Sequence, residues 1–235
     1  MTKIRYLLEA GFLHFLFFIF KLLPVETTSN IGGWIGRNIG ARLAASRKAE
    51  RNLERAMPSL TTQQREQIIL DMWDNLGRFM AEYPHLEKIA RDYTTIEGAE
   101  YLTPYINAEK SAVFIGAHLA NFEVAQASMF LQLGLPIDAT YRAPNNPYSH
   151  TMLNKARTLD GQLNAHAKSQ AGGRSLMKAV KGGSNVGIMI DQKYNEGLSV
   201  PFFGRNAMTN PVWVQLAQKY ERDIIPVRVV RDDGP

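Results

Sequence analysis

From Ser111 onward the chain alternates short apolar runs with stretches of helical periodicity, and that alternation leaves few folds open. Ala112 to Ile115, Ile137 to Tyr141, Val186 to Ile190 and Ile224 to Val230 read as strands. Phe122 to Leu133, Tyr148 to Leu159, Gly173 to Lys181 and Pro211 to Tyr220 read as helices. Strands alternating with helices build an α/β fold, here with a mixed, mostly parallel sheet flanked by helices. In such sheets the reacting groups gather beyond the carboxyl ends of strands.

The stretch Gly116-Ala-His-Leu-Ala-Asn-Phe-Glu123 lies at such an end. His118 is a candidate general base and Glu123 the carboxylate expected to orient it. On one continuous helix a five-residue offset turns two side chains about 140° apart, so contact requires His118 on a loop. Asn121 then reads as the N-cap, with Glu123 in the first helical turn, where the helix dipole favours a carboxylate. Arg142 follows the next strand on a turn-rich loop and can hold a phosphate or a developing anion. Asp191 and Gln192 follow the strand after that, and Pro201-Phe-Phe-Gly204 comes shortly behind.

Ahead of this part, Leu7 to Val25 is dominated by Phe and Leu, interrupted by Glu9, His14 and Lys21 and ended by Pro24. That is short for a bilayer span and fits an interfacial or partly inserted helix. Gly32, Gly33, Gly36 and Gly40 follow, with a small-xxx-small spacing from Gly36 to Gly40 that lets helices approach closely. Arg37, Arg42, Arg47, Lys48, Arg51 and Arg55 then place a basic surface behind the apolar segment, as suits anionic lipid. A helix is expected from Thr61 or Thr62 toward Tyr83, with Ile69, Trp73, Leu76, Met80 and Tyr83 as a core stripe. Gly77 within it points to close packing against another element. The segment from Pro84 to Pro104 reads as a connector with one short strand at best.

The 235 residues suit one domain plus an appendage: a membrane anchor over 1–30 and a catalytic domain over 31–235. With no cysteine, thiolate nucleophiles, disulfides and cysteine-bound zinc are excluded. The five histidines show no metal-ligand spacing, so no metal is expected. A net charge of +5 suits anionic lipid or phosphorylated substrates; nucleic acid is not expected, because the basic residues sit behind a lipid-seeking helix. The closing Arg231-Asp-Asp-Gly-Pro235 reads as a turn without a returning strand, as in a C-terminally truncated chain.

Taken in order, Arg51-Asn52-Leu53 with Pro58, Gly116-Ala-His-Leu-Ala-Asn-Phe-Glu123, Tyr141-Arg142 with Asn146-Pro147, Asp191-Gln192, Pro201-Phe-Phe-Gly204 and Ile225-Pro226 resemble the bacterial lipid A biosynthesis acyltransferases, the lauroyl and myristoyl transferases of the lysophospholipid acyltransferase superfamily. The family often has Gly-Asn-Trp-Glu where this chain has Ala120-Asn-Phe-Glu123. The resemblance implies a glycerol-3-phosphate acyltransferase-like fold at the cytoplasmic face of the bacterial inner membrane. It implies transfer of a fatty acyl group from acyl carrier protein, or from coenzyme A, to a hydroxyl of a phosphorylated glycolipid, without a cofactor or a covalent enzyme intermediate. His118 would be the base, Glu123 its partner, and Arg142 with Arg174, Lys178 or Lys193 the anion holders, while Asp191 and Gln192 shape the pocket. Other acceptors open to such a chain are a lysophospholipid, an aminolipid or a mannosylated phosphoinositide. A non-catalytic protein bound to anionic membranes is the reading of a different class.

Overall fold

The computed structural model describes residues 2–232. Residues 233–235 of the expected terminal turn lie outside the described residues. Among the described residues six α-helices come first: α1 (Thr2–Leu22), α2 (Val25–Asn38), α3 (Ala44–Ala56), α4 (Thr62–Glu82), α5 (Leu86–Asp92) and α6 (Thr103–Ile106). Then follow β1 (Ala112–Gly116), α7 (Glu123–Leu133), β2 (Ile137–Tyr141), α8 (Pro147–Arg157), β3 (Ala165–Ala167), α9 (Gln170–Lys181) and β4 (Asn185–Met189). The chain continues through β5 (Leu198–Phe202), β6 (Arg205–Thr209), α10 (Val212–Tyr220) and β7 (Asp223–Pro226).

The main sheet has five strands in the order β3-β2-β4-β1-β7, and every pairing in it is parallel. The antiparallel element is a separate hairpin, β5 with β6. Phe203 and Gly204 turn that hairpin, both at positive φ, 49° and 68°. Helices cover both faces of the main sheet. Val113, Val186 and Ile188 pack against Leu176 and Val180 of α9 and Leu216 of α10 on one side, and Phe114 and Ile137 pack with Met129 of α7 on the other. Parallel strands buried on both faces read as unbroken apolar runs, which is why β1 and β4 were legible. β3 was not, since its central residue is His166, and β5 is exposed along its whole length.

In the helical half, the connector expected after Pro84 is instead helical, because Leu86, Ile89 and Ala90 lie on one face and are buried with Val124 and Ala127 of α7. Thr61 caps α4 in a capping box: its hydroxyl accepts from Gln64 N at 3.2 Å while Gln64 Oε1 accepts from Thr61 N at 2.8 Å. The glycine-rich stretch forms α2, which crosses α4 backbone to backbone. A Cβ on Gly36 would collide with Trp73 O, and one on Gly77 with Gly32 O. The close packing expected of Gly77 is thus met by Gly32 and Gly36. The expected core stripe of α4 is only partly core. Ile69 and Tyr83 are buried, but Leu76 and Met80 are 42% and 37% exposed, and Phe79 takes the buried place beside them. A boundary at residue 30 would cut α2 in two.

A buried ion pair fastens the two halves together. Glu82 lies at the end of α4, is 1% exposed, and accepts both terminal nitrogens of Arg231, at 2.7 and 3.1 Å. Ser29 Oγ of α2 and Asn121 Nδ2 of the loop after β1 donate to the same carboxylate, each at 2.7 Å. Burial is the largest influence and pushes the Glu82 carboxyl up. Arg231, Ser29 and Asn121 together outweigh it and hold the group below its ordinary value.

Candidate active site

The carboxyl ends of three neighbouring strands, β2, β4 and β1, face one cavity of about 350 Å3. Its walls are mostly apolar, and His118, Glu123, Arg142, Arg157, Lys168 and Gln192 are among the polar side chains that line it. The chain leaves β1 at Gly116, crosses a loop that holds Ala120 at φ 46°, and enters α7 at Glu123. His118 is therefore on the loop and Glu123 in the first helical turn, as expected.

The partner of His118 differs from the expected one. Gly116 of β1 sits opposite Met189 of β4 in the parallel register. Two residues further along each strand direction this brings His118 level with Asp191. Asp191 Oδ1 is 2.7 Å from His118 Nδ1, and Asp191 Oδ2 accepts from His118 N at 2.9 Å. One carboxylate thus fixes both the ring and the loop that carries it. An acceptor on Nδ1 keeps the proton there and leaves Nε2 free to take one. Nε2 lies 3.3 Å from the Gln192 amide nitrogen, and Phe122 packs edge-on to the ring at 4.7 Å between centroids.

Glu123 does not hydrogen-bond His118. Its carboxylate is taken by Arg157, with Nη2 to Oε1 at 2.6 Å and Nε to Oε2 at 3.0 Å, and by the Tyr83 hydroxyl at 2.5 Å. Arg157 also donates to Tyr83 at 2.9 Å and lies 4.7 Å over the Tyr141 ring. The cluster is nearly dry, at 8% side-chain exposure for Glu123 and 13% for Arg157. Burial is the largest cause of a raised Tyr83 pKa, with the Glu123 charge adding to it, so the phenol stays protonated and donates. Burial also works against the Arg157 charge, but Glu123 more than offsets it and the guanidinium is held charged. This cluster ties α4, α7 and α8 into one wall of the cavity.

Asn121 is not the N-cap of α7. Phe122 holds that position without a side-chain bond, and the Asn121 carboxamide is drawn instead to Glu82. Arg142 lines the cavity at the end of β2. Arg174 does not: it is exposed on α9 outside the lining, as are Lys178 and Lys193. Two basic residues of the lining, Arg157 and Lys168, were missed in the sequence. Tyr141 pairs with Ala167 in the β2–β3 register and Lys168 N donates to Tyr141 O at 2.8 Å, so Arg142 and Lys168 leave adjacent strands side by side. Among the described residues neither makes an ion pair. The signal for Lys168 depended on seeing β3, whose polar centre hid it.

The described residues contain no cluster of three or more His, Cys, Asp or Glu side chains fit to hold a metal ion. What the geometry offers is an oriented imidazole in an apolar cavity with two unpaired cations at its rim. The family model for bacterial lipid A biosynthesis acyltransferases matches residues 2–235. The chain belongs to that family. As a lipid A biosynthesis acyltransferase family member it is 26% identical over 196 residues to the lipid A biosynthesis palmitoleoyltransferase of Escherichia coli (strain K12), a match covering 77% of this chain and 62% of that relative. The lipid A biosynthesis acyltransferase of Shigella flexneri matches with the same identity and coverage. The family member described here therefore spans less than two thirds of the length of these relatives.

Proposed function

We propose that the protein is a membrane-surface O-acyltransferase that moves a fatty acyl group from a thioester, carried by acyl carrier protein or coenzyme A, to a hydroxyl of a phosphorylated glycolipid of the lipid A type. The observation that carries this reading is His118 at a strand end inside an apolar cavity, with Nδ1 held by Asp191. Family membership supports the acceptor class.

The acceptor hydroxyl, set against Nε2 of His118, gives its proton to that nitrogen as its oxygen attacks the thioester carbonyl carbon. The tetrahedral adduct collapses, the carbon–sulfur bond breaks, and the leaving thiolate takes the proton back from the imidazolium. Asp191 stabilises the transient imidazolium. Arg142 and Lys168 are the available cations for the oxyanion or for a substrate phosphate. Glu123 acts at one remove, holding Arg157 and Tyr83 so that the wall keeps its shape. No metal or bound cofactor enters the cycle. The enzyme works at the cytoplasmic face of the inner membrane, with α1 and the exposed face of α2 around Trp34 in the lipid surface.

The test is an assay of acyl carrier protein thioesters and a phosphorylated glycolipid acceptor, read by product mass. His118→Ala is expected to lower turnover by about 10²- to 10⁴-fold. Wild-type rates in that variant would end the reading.

A further inference from the structure

A transfer between two lipids has to hold two pieces of hydrocarbon at once: the chain in transit and a chain that the acceptor already carries. The cavity at His118, at about 350 Å3, takes roughly a dozen carbons, since a ~150 Å3 cavity holds one benzene ring. That is room for about one chain. A second hollow of about 320 Å3 lies away from the sheet, between α1, α2 and α4. Leu16 and Phe17 of α1, Ile35 of α2 and Ile39 just after it, and Leu76 and Met80 of α4 contribute its walls, and no charged side chain among the described residues lines it. Gly32, Gly36 and Gly77 add bare backbone at the helix crossing.

Three observations limit the occupant. The lining is hydrocarbon, so the occupant is hydrocarbon. Met80 lines both hollows, so the occupant adjoins the cavity that holds His118. Ile35, Ile39, Leu76 and Met80 are each more than a third exposed, and α1 beside them exposes Phe12 and Phe15, so the hollow opens onto the apolar outer face. A chain of a membrane-resident acceptor meets all three conditions. We propose that this hollow holds an acyl chain already present on the acceptor glycolipid while the chain in transit occupies the cavity at His118. The inference rests on the glycolipid reading above.

Leu76→Trp and Ile39→Trp in the full chain test it. Both positions line the second hollow and not the first, and both are exposed enough to accept an indole without repacking the core. Each displaced methylene is a factor of roughly four in binding, so the acceptor KM is expected to rise about tenfold or more. With an acceptor of the same head group but short acyl chains, KM should stay within about twofold of wild type, and the donor chain-length profile should not change. Leu76→Ala, which widens the hollow, should relax the preference for acceptor chain length. The proposal falls if neither tryptophan changes the long-chain acceptor KM, if both acceptors suffer alike, or if the donor profile shifts instead. A wild type that acylates no glycolipid at all sinks the reading beneath it, a result separate from unchanged variants of an active enzyme.

Discussion

His118 has two carboxylates nearby in sequence or in space, and the geometry divides their work. Asp191 meets Nδ1, whereas Glu123 is spent on Arg157 and Tyr83. Asp191→Asn replaces an obligate acceptor by an amide that can present N–H to the ring and favour the wrong tautomer. Its turnover should fall by about 10²- to 10⁴-fold with the acceptor KM and the melting temperature little changed. Glu123→Gln leaves the His118–Asp191 pair intact but strands a buried guanidinium, a loss on the order of 3 kcal/mol. It should unfold at clearly lower urea concentration, and its activity loss should follow the wall of the cavity rather than the base. Equal turnover losses at unchanged stability in both variants would contradict this division. The base itself was legible, because a histidine just past an apolar strand stands out. Its partner was not: five residues of sequence separation suggested Glu123, while Asp191 lies 73 residues away and comes into reach only through the β1–β4 register. Asn121 misled for a related reason, since a good capping residue was claimed by a buried carboxylate that sequence alone does not locate.

Among the elements, α2 and α4 depend on glycine and α4 on a buried charge. Gly36→Val would drive side-chain atoms into Trp73 O, which is rigid backbone, so the helices must separate. A loss of about 1–3 kcal/mol or more is expected, read as a lower urea midpoint. Gly11, beside which a Cβ would meet nothing within 4 Å, should accept alanine without loss and serves as the control. The Glu82–Arg231 bridge predicts an acid dependence. The folded Glu82 pKa lies below its ordinary value. The unfolded chain therefore binds the proton first, and the pair contributes its full stabilisation above the unfolded pKa of about 4.3. That contribution is lost as pH falls from there through the folded pKa. The melting temperature of the wild type should drop more steeply below about pH 4.5 than that of Glu82→Gln, which is less stable at neutral pH but lacks this proton uptake. Parallel curves would show that the bridge does not govern acid unfolding. The helices and central strands here followed from periodicity and apolar runs. The α5 segment was hidden by its shortness, and the hairpin of β5 and β6 by having no buried face to impose a pattern.

For the molecule as a whole, α1 poses a solvent problem that the fold alone leaves open. Ala10, Phe17 and Phe20 are buried against the rest of the chain, with Phe17 stacked on Tyr83 at 6.2 Å. The other side carries Leu8, Phe12, Phe15 and Leu22, each at least 60% exposed. Trp34 of the neighbouring α2 and Ile39 just after it extend this surface. A helix apolar all round is stable only if both sides are covered, and one side here faces outward. No helix among the described residues is long and apolar enough to cross a membrane. The function proposed above puts this face flat in the lipid surface, with the exposed basic residues of α3 adding attraction to anionic head groups. Each phenylalanine moved out of water is worth about 1.5–3 kcal/mol, so Phe12→Ser, Phe15→Ser and Phe18→Ser combined should weaken vesicle binding by at least about 100-fold. Their melting temperature should stay near wild type, since none of the three is part of the core. Binding should also favour anionic over zwitterionic vesicles and weaken with salt, because the basic surface contributes through a screened potential. Co-sedimentation with vesicles of the two compositions, at low and physiological salt, reads all of this directly. Unchanged binding of the triple variant would mean that the apolar face of α1 meets something other than lipid, and the acceptor would then have to reach the hollow beside Met80 by another side.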